Sequence, residues 1–106
     1  MYNLKWSESE KKLSRRLFEA ALEAELAEVI AEFKAKAVGA TTPDEMWAVQ
    51  GYLAHKHREI DEKYDYRYSQ LLLVFSRLVR EGRLKEAQLH GLSEEKRTYI
   101  HRILSL

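Results

Sequence analysis

Breakers are scarce in this chain, and their placement constrains its fold more than any other feature. Pro43 is the sole proline, and Gly39, Gly82 and Gly91 are three of the four glycines, so the chain is cut into a few uninterrupted stretches suited to helices. The first stretch is the longest. Ser7 and Glu10 have the spacing of a capping box, in which the serine oxygen takes an amide of the first turn and the glutamate reaches back to the cap. Leu13, Leu17, Ala20, Ala21 and Ala24 begin an apolar face that Leu22, Leu26, Val29, Ile30, Phe33 and Ala37 continue at intervals of three and four. This spacing predicts a helix over residues 7–37. Thirty residues rising 1.5 Å each span about 45 Å, whereas a compact globule of this chain length has a diameter of roughly 35 Å. Such a helix overhangs its own domain with its apolar face uncovered. The simplest cover is a second copy, antiparallel through an isologous interface, so the sequence is expected to give an elongated antiparallel homodimer.

Thr42-Pro43-Asp44-Glu45 marks a second start, with threonine as cap, proline at the first helical position and acids facing the positive end of the helix dipole. A helical segment over 43–82 is expected, open to a break near 66–69. Along it Met46, Gln50, Leu53, His57, Ile60 and Tyr64 fall on one heptad-like seam of mixed polarity. Leu71, Leu72, Val74, Phe75, Leu78 and Val79 then form a dense apolar helix closed by Gly82, which suits a left-handed terminal residue. Two short helices over 84–104, one near Leu84 to His90 and one begun by Ser93, complete a small C-terminal head. No stretch alternates strictly enough for a strand. The expected fold class is all-α, as a single helical domain over 1–106.

Composition narrows the function classes. With 106 residues, 45% hydrophobic and 33% charged, the chain has enough apolar surface to offset the entropy of ordering. A net charge of +1 lacks the concentrated basic surface that a phosphate backbone or an anionic membrane calls for. No cysteine is present, which excludes disulfides, thiolate nucleophiles and zinc-thiolate sites and suits a reducing compartment. Met1 to Trp6 lack the apolar stretch of a secretion signal, and the longest apolar run, Leu71 to Phe75, falls far short of the ~20 residues that cross a bilayer. A cytoplasmic protein without membrane contact or cofactor is expected.

Few residues suggest chemistry. His57, Asp61 and Asp65 recur every four residues, a spacing that can bind a transition metal but more often gives surface pairs, here with Lys63 and Arg67 alongside. His55 and His57, two apart, point to different faces. No metal site is expected. Trp47 suits a core or an interface equally, since its area and its indole donor serve both. Tyr64, Tyr66, Tyr68 and Arg67 form an aromatic cluster with a cation, expected to pack at a helix junction. No glycine-rich phosphate loop and no paired nucleophile and base is evident, so an enzyme is not expected. Residues 77–106 hold seven Lys or Arg against four Glu and a superficial helix-turn-helix pattern; the bias is modest for phosphate binding, and a helical nucleic-acid-binding protein stands only as a further alternative.

One block carries a resemblance. Trp47, Leu53, Lys56, Glu59-Ile60-Asp61, Lys63-Tyr64-Asp65, Arg67 and Ser69, followed by Leu71 to Phe75 and Glu81-Gly82, resemble the middle of the fluorescence recovery protein family of cyanobacteria. The resemblance implies a small all-helical dimer that binds the photoactivated orange carotenoid protein, largely through its C-terminal domain, and speeds its return to the orange form. It implies a dimer and partner interface around Trp47, with Gln50, Gly51, Leu53, His57 and Ile60, and partner-facing candidates Leu73, Phe75 and Tyr99 on the head. The chain departs from the family at Gln50, Gly51 and His57, where the family has a histidine, an aspartate and an arginine. That departure implies, as an alternative, a divergent homologue serving another protein client.

Overall fold

The computed structural model describes residues 4–106; Met1, Tyr2 and Asn3, on which the reading of a missing secretion signal partly rests, lie outside the described residues. Among the described residues there are four α-helices, one 3₁₀ turn and no strand: α1 at Glu8–Gly39, α2 at Pro43–Lys63, α3 at Leu71–Arg80, the 3₁₀ turn at Glu86–Leu89 and α4 at Glu94–Leu104. Each boundary has a local cause. The Ser7 hydroxyl accepts the Glu10 amide at 3.1 Å while the Glu10 carboxylate accepts the Ser7 amide at 2.9 Å, the reciprocal capping box. At α2 the Thr42 hydroxyl accepts the Glu45 amide at 3.2 Å with Pro43 just inside the helix. Gly82 closes the α3 region at φ 77°, a conformation that a side chain disfavours. Segment 84–90 differs from expectation: it makes a single 3₁₀ turn of four residues, Glu86–Leu89, closed by i to i+3 bonds from the Gln88 amide to the Lys85 carbonyl and from the His90 amide to the Ala87 carbonyl.

The chain divides into two compact units, one of residues 4–21 with 65–106 and the other of Leu22–Tyr64. In the first, α3 buries Leu71, Leu72, Val74, Phe75 and Leu78 on one face, and Leu84, Leu89, Leu92 and Ile100 join that core. From the first half of α1 come Glu10, Ser14, Leu17, Phe18 and Ala21, spaced by three, four and one, which is a single helical stripe. In the second unit the later half of α1 and the whole of α2 form a hairpin in which only Glu25, Ile60 and Lys63 are buried. A hairpin so sparsely buried has almost no core of its own.

Candidate interaction surfaces

The Leu22–Tyr64 hairpin is held by polar contacts more than by packing. Glu25 receives the Lys63 ammonium on one carboxylate oxygen and the Tyr64 hydroxyl on the other, both at 2.7 Å. The Glu25 and Lys63 side chains are almost fully shielded, so each charge depends on the other. Nearer the α1–α2 turn the Tyr52 hydroxyl donates to Glu32 at 2.8 Å, with the Lys36 ammonium 5.0 Å from the tyrosine ring. Desolvation and the Glu32 hydrogen bond push the Tyr52 phenol up to about 12.

Between these staples lie the residues expected at an interface. Gln50, Leu53, His57 and Ile60 line one apolar groove together with Leu26, Val29 and Ile30 of α1. Four of the six positions singled out around Trp47 therefore meet in one place. Trp47 lies outside that groove and is 59% exposed, which removes a core-filling role within the chain; Met46 beside it is 50% exposed and Val38, at the end of α1, 85%. A Cβ on Gly51 would meet nothing within 4 Å, so nothing in the chain itself requires a glycine there. His57 pairs with Asp61 at 3.3 Å, but Asp65 lies beyond the end of α2 and is clamped by Arg67, at 2.8 Å from Nε to Oδ1. The His57, Asp61, Asp65 alignment is thus broken by the helix end, and among the described residues no group of three or more His, Cys, Asp or Glu could hold a metal ion. Hydrogen bonds from Arg67 hold the Asp65 carboxyl below its usual range.

In the other unit, Leu73 is the exposed member of an otherwise buried run on α3. Phase along the helix separates it from Phe75, whose ring is 0% exposed. Phe75 is therefore core, not a contact residue, a correction to the expectation from resemblance. Tyr99 is half-buried on α4 and lines a shallow cleft with Leu4, Glu94, Glu95, Thr98 and Arg102. The expected tyrosine cluster splits. Tyr64 serves Glu25, whereas Tyr66 meets Phe18 edge-on at 4.8 Å with Arg15 3.9 Å above its ring, and Tyr68 stacks at a tilt on Trp6 at 5.3 Å.

Two buried ion pairs escaped the sequence reading: Glu25 with Lys63, and Glu10 with Lys96 at 3.1 Å. The partners of the second are 86 residues apart, and no local spacing announces such a pair. Glu25 left one trace, since it sits four residues from Ala21 and four from Val29 on the apolar stripe.

Comparison with known proteins agrees with the helical architecture and with the family that the sequence resembles. The family described as photoprotection regulator fluorescence recovery protein matches residues 6–104. The fluorescence recovery protein of Synechocystis sp. (strain ATCC 27184 / PCC 6803 / Kazusa) is 34% identical over 101 residues, 95% of this chain and 93% of that protein. Its solved structure superposes with a TM-score of 0.90 at 33% identity, covering 96% of this chain and 100% of that one. The structure of the Fremyella diplosiphon fluorescence recovery protein does so with a TM-score of 0.88 at 36% identity, covering 95% and 98%.

Proposed function

Since the chain belongs to the fluorescence recovery protein family, a family of photoprotection regulators, we propose that it is a non-enzymatic homodimer that binds the orange carotenoid protein and accelerates return of its photoactivated red form to the orange resting form. The observation that carries the dimer is the bare hairpin. Leu26, Ile30, Val38, Met46, Trp47 and Leu53 are all exposed within one unit that buries only three residues. Large apolar side chains left bare in such number on one unit mark an interface. A second copy laid antiparallel through Trp47, Gln50, Gly51, Leu53, His57 and Ile60 would cover it by the same residues on both sides.

Leu73 and Tyr99 are the proposed contact points for the carotenoid protein's C-terminal domain, with Phe75 as the rigid support beneath. A partner that binds the compact arrangement of the carotenoid protein more tightly than the separated one shifts the population toward it, and stabilising the re-docking transition state speeds the return. No cofactor and no membrane are needed for this action, and a cytoplasmic location suits it; none of the described helices is long and apolar enough to cross a membrane.

The direct test mixes purified protein with photoactivated orange carotenoid protein and follows the red-to-orange absorbance change in the dark. Acceleration is expected, and an unchanged rate at saturating protein would reject the activity. The departure from the family pattern at Gln50, Gly51 and His57 favours a second reading, a homologue that keeps the dimer and serves another protein client; an unchanged rate together with a dimeric mass is its signature.

A further inference from the structure

One carboxylate stands at the start of two helices. Glu10 accepts the Ser7 amide on Oε1 at 2.9 Å, completing the cap of α1, and accepts the Ser93 amide on Oε2 at 2.8 Å, at the cap of α4. A capping box ordinarily turns one oxygen toward its own helix; here the other reaches a helix whose cap lies 83 residues away. The Lys96 ammonium balances the charge, donating to Oε1 at 3.1 Å, and also donates to the Lys5 carbonyl while sitting 4.8 Å from the Trp6 ring. Glu10 is 6% exposed and Lys96 3%, so neither finds its partners in water. Two residues before Ser93 the turn presses on α1, because a Cβ on Gly91 would fall 2.6 Å from Leu13 Cδ2. Leu4 and Tyr99 form walls of the same cleft.

We infer that Glu10 is a positioning residue that locks α4 to the segment over residues 4–7, so that the head face carrying Tyr99 is ordered only while that segment is docked. This rests on the reading that α4 meets the partner. An eleven-residue helix is too short to persist alone; α4 draws its order from its buried side and from the lock at its start. Glutamine at position 10 offers one carbonyl acceptor in place of two carboxylate oxygens and leaves Lys96 without its counter-charge.

The test is amide hydrogen exchange on the full chain for wild type, Glu10→Gln and Lys12→Ala, an exposed change near the start of the same helix. Glu10→Gln should raise exchange by about tenfold, the loss of one charged hydrogen bond, in peptides covering 92–98 and 4–8 together, while 43–63 stays as in wild type and Lys12→Ala changes nothing. Unchanged exchange over 92–98 would overturn the lock. Should Glu10→Gln fail to fold, wild type decides: the amides of Ser7 and Ser93, both held by Glu10, should open with one common free energy, and separate openings overturn it. Slower carotenoid-protein recovery is expected for folded Glu10→Gln. Raised exchange with unaltered recovery would overturn the positioning role, whereas absence of recovery with wild type itself would count against the functional reading alone.

Discussion

Polar groups buried among apolar ones decide much of this molecule residue by residue. Glu10 illustrates the balance: burial pushes its carboxyl up, but the amides of Ser7 and Ser93 and the Lys96 ammonium more than reverse this and hold it below the ordinary 4.5. A depressed folded value means the contribution is complete above pH 4.5 and is lost as pH falls through the folded value. Acid titration followed by circular dichroism should therefore show stability falling below about pH 4.5, and Glu10→Gln should flatten that limb; an identical acid limb in both would contradict the assignment. Ser14 is the opposite case, a fully buried hydroxyl with no hydrogen-bond partner among the described residues. A buried unsatisfied hydroxyl costs about 1 to 3 kcal/mol, so Ser14→Ala is expected to raise unfolding stability by about 1 kcal/mol in urea. A loss of stability instead would show that the hydroxyl is hydrogen-bonded in solution.

Helices and their ends were the most legible part of the sequence, because the signals are local. The Ser7–Glu10 box, the Thr42-Pro43 start and the Gly82 stop each act through atoms a few residues apart, and each is present as hydrogen bond or dihedral. The close of α2 at Lys63 was less legible. It follows from where Lys63, Tyr64 and Tyr66 are bound, by Glu25 in one case and by Phe18 and Arg15 in another, and those partners lie far back in the chain. The groove is half legible in the sequence: Gln50, Leu53, His57 and Ile60 stand out on α2, while Leu26, Val29 and Ile30 show only as part of the apolar stripe of α1. Gly51 offers an element-scale test. With nothing within 4 Å of its Cβ position, Gly51→Ala is expected to gain about 0.5 to 1 kcal/mol of helix stability. A drop in thermal stability would place another backbone against that position in the assembled state.

At the scale of the whole molecule, the proposed account turns on what covers the hairpin of Leu22–Tyr64. Thirty-two residues of α1 rise about 48 Å, and beyond Glu25 none of them is buried within the chain. A charge placed at an exposed apolar position costs a lone chain little, but it weakens an assembly in which that position is desolvated. Ile30→Glu is therefore expected to leave helix content unchanged and to raise the dissociation constant by about a hundredfold, since a desolvated charge costs several kcal/mol; sedimentation at several concentrations reads it, and an unaltered constant would take Ile30 out of the interface. The most direct measurement is the mass in solution by light scattering across micromolar dilution. A value twice the 12.5 kDa of one chain is expected, and 12.5 kDa at every concentration would contradict the paired assembly from which the proposed function proceeds.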